Sequence, residues 1–381
     1  MQSTFEQGPI RPPSEARSLL IRLTRGCPWN KCAFCHTYRG TKFSIRSVEE
    51  IKNDIRMAAE AAQKIRALSW RCGEGGQVTD RLVDALYGQP MEGGVIPSVA
   101  AWMYFGGESI FLQDADSLVM KTDDLTDILS FLRESFPSVS RVTTYCRSRT
   151  AAHKPPEDFH RLREAGLTRI HIGMESGCDS LLGFIRKGVT AQQHVEAGRR
   201  IREAGISLSE YVMPGLGGVK WSREHAVDTA RTLNLINPDY IRLRTLHVKP
   251  ESDLHDKMKT GDFVPIGDED ILREIRLFIE HLDGITSEIV SDHILNLLEE
   301  LEGKLPEDKQ RLLDTIDGFF RLPDRDRLIF RVGRRRGMLR YLADLSDRSL
   351  HRRICGFIDE YAQKGGDALD RDINRTMHRF I

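Results

Sequence analysis

Two helical stretches of this chain end in the same four residues, Arg163-Glu-Ala-Gly166 and Arg202-Glu-Ala-Gly205, 39 residues apart, and each runs straight into a β-rich segment. A glycine just past a helix supplies the left-handed residue that ends it, and this spacing is about one helix–strand unit. The same alternation runs through most of the chain. Apolar, β-branched runs predict strands near 18–24, 109–112, 140–146, 168–174, 207–213 and 239–246. Helical periodicity falls between them, near 47–66, 122–135, 156–165, 190–204 and 222–235. Thr122-Asp-Asp opens one of these with an N-cap residue and an acidic first turn. Strands that alternate with helices build a parallel sheet with crossover connections. Six units predict an α/β fold, a partial (β/α)6 barrel over 18–250, rather than a closed eightfold one. Residues 1–17 read as an N-terminal extension, and 251–381 as a helical C-terminal region. Residues 62–108, rich in glycine, read as an insertion in the barrel that covers a site.

Bulk properties exclude several classes. The chain has 381 residues, 40% of them hydrophobic, enough for a large core. Its formal charge is zero, which gives the whole molecule no electrostatic reason to seek nucleic acid or an anionic membrane. No apolar run approaches the roughly 18 residues of a spanning helix, and the first residues do not resemble a signal peptide. Seven cysteines, an odd number in a long chain, do not suggest a secreted disulfide framework. A reducing cytoplasm is the expected compartment.

Three of those cysteines lie within nine residues, Cys27-Pro-Trp-Asn-Lys-Cys32-Ala-Phe-Cys35, just after the first predicted strand. Three thiolates on one loop can hold three irons of a four-iron cluster and leave the fourth iron without a protein ligand. A structural zinc site needs four ligands, usually as two pairs, and no second Cys-x-x-Cys occurs in the chain. Cys72, Cys146, Cys178 and Cys355 are scattered. We therefore read Cys27, Cys32 and Cys35 as metal ligands.

The segment Arg25-Gly-Cys-Pro-Trp-Asn-Lys-Cys-Ala-Phe-Cys35 resembles the radical S-adenosylmethionine (SAM) superfamily. Its cysteine gaps of four and two residues are similar to those of the oxygen-independent coproporphyrinogen oxidase-like and Elongator-type branch. The resemblance covers roughly residues 15–250. It implies a TIM-like partial barrel, a [4Fe-4S] cluster and S-adenosyl-L-methionine chelating the open iron. It also implies reductive cleavage of SAM to a 5′-deoxyadenosyl radical, which abstracts hydrogen from a substrate. A small-molecule substrate, an electron donor such as flavodoxin or ferredoxin, and oxygen sensitivity follow from the same resemblance.

The resemblance also implies roles for the residues at the strand ends. Phe34, between the last two cysteines, lies beside the cofactor. Family members usually carry Gly-Gly-Glu after the second strand to meet the SAM amino group. Asp114 and Asp116 hold that place here, whereas the literal Gly106-Gly-Glu108 precedes the strand. Arg147 ends the third strand, where a cation meets the SAM carboxylate or a substrate acid; a buried, paired Arg is the competing reading. His171-Ile-Gly-Met-Glu175-Ser-Gly177 looks like the family's Gly-x-Glu-Ser-Gly turn, with Glu175 and Ser176 at the ribose and His171 a core residue. Arg186 then holds the SAM carboxylate or Glu175. Pro214 and Gly215, in Val212-Met-Pro-Gly-Leu-Gly-Gly218, let the backbone approach the adenine and ribose side.

The rest of the chain offers less. Arg244 and His247 end the sixth strand and can recognise an anionic substrate or close the barrel's edge. Ser291-Asp-His293 reads as an acid–base pair at a helix start, or as a cap. Residues 321–353 carry eleven Arg against four Asp, which suits either an exposed helical face or RNA. Thr37 stands where porphyrinogen-oxidising relatives have a further cysteine. Two alternatives to a radical enzyme of unidentified substrate remain: a non-catalytic haem or metal carrier, and an RNA-modifying radical methyltransferase. No residue of the chain is assigned as catalytic.

Overall fold

The computed structural model describes residues 5–87, 95–364 and 368–377. Its sheet has eight strands, which follow one another in chain order. They are β1 (Leu19–Arg22), β2 (Ser109–Gln113), β3 (Arg141–Cys146), β4 (Arg169–Glu175), β5 (Ser207–Val212), β6 (Tyr240–Leu243), β7 (Glu288–Val290) and β8 (Gly303–Lys304). The fold is α/β, with helices connecting the strands. All six strands expected from the sequence are present within a few residues of their predicted ends. The last two were not expected, because segments of three and two residues are too short to carry an alternating pattern.

By its internal contacts the chain forms two compact units. The first comprises residues 1–30, 37–172 and 196–208, and the second 31–36, 173–195 and 209–381. In the first unit β1, β2, β3 and β4 are joined as parallel neighbours. The helix Val48–Arg71 is fixed at its start by a capping box between Ser47 and Glu50. Ile51, Ile55, Ala58, Ala62 and Ile65, at helical spacing, form its buried stripe. The stretch read as a glycine-rich insertion is largely helical among the described residues. It holds the end of that helix and the helices Asp80–Tyr87 and Val95–Tyr104. Residues 88–94 lie outside the described ones. Gly106-Gly-Glu108 does stand immediately before β2.

The start of the chain is bound into the first unit. Glu6 pairs with Arg22 at 2.9 Å and with Arg25 at 2.6 Å, and the Arg25 hydrogen bond holds its carboxyl below the usual range. Glu15 is fully buried, 3.2 Å from Arg141 and hydrogen-bonded to Ser18 and, at 3.4 Å, to His171. Burial alone would raise its pKa, but the His171 and Ser18 bonds outweigh burial and leave it lowered.

In the second unit β5, β6 and β7 run parallel, and β8 turns back antiparallel on β7. Its core packs Val212, Ile241 and Leu243 from the strands against Ala226, Ala230 and Leu233 of the helix Gly218–Ile236. Ile271, Ile275 and Phe278 of the helix Asp268–His281 complete that layer. Each of these side chains larger than alanine contributes about 1.5–3 kcal/mol of burial free energy. One residue breaks the pattern. Glu210 shares a face of β5 with Val212 and lies beside Ile241 in register, yet it is fully buried and neither carboxyl oxygen has a hydrogen-bond partner. Burial pushes its pKa well above the ordinary value.

Candidate functional site

The candidate residues stand at strand ends, and loops after parallel strands carry the chemistry in α/β sheets. Cys27 lies in the first unit, and Cys32, Phe34 and Cys35 in the second. None of the three cysteines is in a disulfide, and all are half-buried. The loop that carries them has a defined course. The Asn30 N–H donates to Cys27 Sγ at 3.4 Å, and the Cys35 N–H donates to the Cys32 carbonyl at 3.2 Å. Between them Ala33 is fully buried, donating to the Ile185 carbonyl and accepting from the Leu254 N–H, both at 2.8 Å. Among the described residues no group of three or more His, Cys, Asp or Glu side chains is arranged around a single metal ion. A cubane cluster makes a different demand, since each thiolate takes its own iron and stands apart from the others. Three half-buried thiols, none in a disulfide, on a loop with an anchored centre fit that demand.

In the first unit both predicted acids are buried. Asp114 pairs with Arg22 at 2.8 Å and accepts a hydrogen bond from the Tyr38 hydroxyl. Burial nonetheless leaves its pKa raised. Asp116 Oδ2 accepts from Thr150 Oγ1 at 2.5 Å, while its Oδ1 has no well-formed hydrogen bond. Burial pushes this carboxyl up to about 6, against the opposing pull of Thr150 and Arg147. Arg147 is half-buried, its guanidinium 5.2 Å from the centre of the Trp29 ring. His171 is a core residue, as expected, with Glu15 as partner.

In the second unit β4 ends at Glu175, which adopts a left-handed backbone with φ of 66°. A non-glycine residue held there is strained, and such strain gathers at functional turns. The Glu175 carboxylate meets Lys187 Nζ at 3.0 Å, and that ammonium also lies 5.6 Å from the centre of the Phe34 ring. Arg186, also left-handed at φ 54°, is exposed and pairs with Asp253. Ser176 is fully buried and bonded to the His225 ring at 2.9 Å. Pro214 accepts from the Leu246 N–H at 2.8 Å, and the Gly215 N–H donates to Glu274 at 2.6 Å. His225, Thr229 and Glu274, which support these turns, had no signal in the sequence. Their partners lie about fifty residues away, beyond any local motif.

Arg244, at the end of β6, is exposed, and His247 is half-buried. Asp292 and His293 follow a strand, not a helix start, and they do not form an acid–base pair. Asp292 pairs with Arg242 at 3.0 Å, while burial and then the Arg244 charge push His293 down to about 3. The arginine run near the C-terminus is occupied by acids. Arg334 meets Glu299 at 3.2 Å, Arg335 meets Asp268 at 2.5 Å, and Arg336 meets Asp372; the first two arginines are buried. Among the described residues, no helix is long and apolar enough to cross a membrane.

Comparison with known proteins adds a family. Residues 91–230 match the radical SAM superfamily. A curated relative, the tRNA uridine(34) acetyltransferase of Methanocaldococcus jannaschii, is 21% identical over 120 residues, which is 31% of this chain and 22% of that protein. The chain thus matches about a fifth of that relative's length. Coproporphyrinogen III oxidase from Escherichia coli is similar in structure with a TM-score of 0.45 and 17% identity, over 70% of this chain and 52% of the other. The radical SAM methyltransferase TsrM from Kitasatospora setae gives a TM-score of 0.44 and 14% identity, over 92% and 64%. The matched segment takes in β2 to β5 with the turns at Glu175 and Gly215, so it is this part of the chain that matches the radical SAM superfamily.

Proposed function

We propose that this radical SAM enzyme holds three irons of a [4Fe-4S] cluster on Cys27, Cys32 and Cys35 and offers the fourth to SAM. When bound, cluster and SAM supply a one-electron cleavage of a sulfonium C–S bond and a carbon radical that takes hydrogen from a substrate. The chain's own residues bind and orient. Glu175 accepts hydrogen bonds from the ribose hydroxyls and is held in place by Lys187 at 3.0 Å. Arg147 faces a carboxylate, steadied by Trp29. Of the two acids after β2, Asp116 suits an ammonium group better, because Arg22 and Tyr38 already engage Asp114. A small-molecule substrate and a flavodoxin- or ferredoxin-like reductant complete the reading.

The observation that carries it is the three-cysteine loop, with no disulfide, in a chain whose residues 91–230 match the radical SAM superfamily. The test is to incubate anaerobically reconstituted, reduced protein with SAM and measure 5′-deoxyadenosine and methionine. Both should form. Cys32→Ala should lose the iron–sulfur absorbance, and Glu175→Ala should keep it while binding SAM more weakly. Stoichiometric zinc, or haem binding with no SAM cleavage, would replace this reading with a metal or haem carrier. RNA as substrate has one point in its favour, the tRNA-modifying name of the archaeal relative. Salt-dependent RNA binding tests it.

A further inference from the structure

The turns at the ends of β4 and β5 are tied to each other from behind. The Met213 N–H donates to the Glu175 carbonyl at 3.0 Å. His225, on the helix Gly218–Ile236, then bridges them a second time. Its Nε2 lies 3.0 Å from the Met213 carbonyl, and its Nδ1 lies 2.9 Å from Ser176 Oγ. A carbonyl only accepts, so the hydrogen-bond network assigns the ring proton to Nε2 and makes Nδ1 the acceptor for the Ser176 hydroxyl. That hydroxyl also accepts from the Cys178 N–H at 3.1 Å, so every polar group of the bridge is used. Gly177 closes the first turn against the same helix. Its N–H donates to Thr229 Oγ1 at 2.9 Å, and a Cβ there would lie 2.5 Å from Thr232 Oγ1.

The second turn has its own support. Glu274, on the helix Asp268–His281, accepts from the Gly215 N–H and the Ser222 hydroxyl, both at 2.6 Å. His225 and Glu274 are each only a few per cent exposed, 2% and 4%, and neither is one of the residues read as touching the cofactor. A buried, fully bonded frame of this kind sets geometry rather than chemistry.

We propose that His225 and Glu274 are positioning residues for SAM: they fix the Glu175–Gly177 turn against the Met213–Gly215 turn and so set the ribose and adenine contacts. This rests on the reading of both turns as SAM contacts. Misplacing a binding group by a fraction of an ångström weakens every contact it makes. His225→Phe keeps the ring's bulk and removes both bonds. Glu274→Met keeps the length and removes both acceptors. The conservative partners are His225→Gln, which retains a donor and an acceptor, and Glu274→Gln, which can still accept from Gly215 and donate to Ser222.

The experiment is equilibrium binding of SAM to the anaerobically reconstituted full chain, with the cluster's EPR spectrum recorded with and without SAM. We expect His225→Phe and Glu274→Met to bind SAM at least about tenfold more weakly. Their EPR spectra without SAM should match the wild type, and the SAM-induced change should be reduced. The two Gln variants should recover most of the affinity. If His225→Phe does not fold, the Glu274 pair decides alone. Affinities within twofold of wild type in folded variants would overturn the proposal, as would Gln variants no better than their apolar counterparts. A wild-type protein that carries its cluster and binds no SAM would instead overturn the functional reading beneath it.

Discussion

The strand ends of the first unit and those of the second satisfy their polar groups in different ways. After β2, Asp114 is engaged by Arg22 and Tyr38, side chains 92 and 76 residues away in the chain, so a residue of the loop itself is consumed in holding the fold. After β4 and β5 the bonding is done by residues that stand behind the loops. His225, Thr229 and Glu274 take up the backbone and the Ser176 hydroxyl, and Glu175 is left to meet Lys187. An acid at a motif position is thus not equivalent to an acid available to a ligand. The partner list decides which it is.

The largest test of this contrast is Asp114→Ala. It takes from Arg22 one of its two acids, leaving Glu6, and from the Tyr38 hydroxyl its acceptor, and stability should fall by about 3 kcal/mol in denaturant titrations. A loss under about 1 kcal/mol would mean that Asp114 is not a structural acid, and the contrast would fail. Gly177→Ala probes the second unit. The new Cβ would lie 2.6 Å from the Asp228 carbonyl and 2.8 Å from Thr229 Cα, which are backbone atoms that cannot swing away. Overpacking of this kind costs about 1–3 kcal/mol, and SAM binding should weaken with it.

Glu210→Leu should act in the opposite direction and raise stability at neutral pH by about 1–2 kcal/mol, because an unpartnered buried carboxyl is lost. The sign of its pH dependence is fixed. The folded pKa lies above the unfolded value of 4.5, so wild-type stability is complete below that value and falls as pH rises above it. The variant should lack that component of the slope, and an unchanged slope would show that Glu210 has a partner. The smallest effect belongs to Gly183→Ala, in the helix Asp179–Phe184. Nothing lies within 4 Å of its Cβ position, and helix propensity predicts a gain of about 0.5–1 kcal/mol.

Much of this was legible in the sequence where the information was local. The twin Arg-Glu-Ala-Gly endings do sit at helix ends, with Gly166 and Gly205 at φ 119° and 73°, each just before β4 or β5. Of the glycines in residues 62–108, which read as an insertion, Gly73, Gly75 and Gly76 form one tight turn between helices. For Asp292-His293 the sequence left an acid–base pair and a structural role open, and the partners favour the structural one. The Asp-His pair looks chemical, yet Arg242, fifty residues earlier, claims the acid. Arg334-Arg-Arg336 suited either an exposed helical face or RNA, and the acids that engage it lie far away in the chain. Contacts across such distances leave no spacing for a reader of one sequence to find.

The buried Glu15 has a practical consequence for anyone producing this protein. A shortened version that starts at the first strand would remove the carboxylate on which His171 and Arg141 converge, leaving an imidazole in the sheet interior without its anion. Affinity handles and cloning boundaries are therefore better placed upstream of Glu6 than trimmed back to β1.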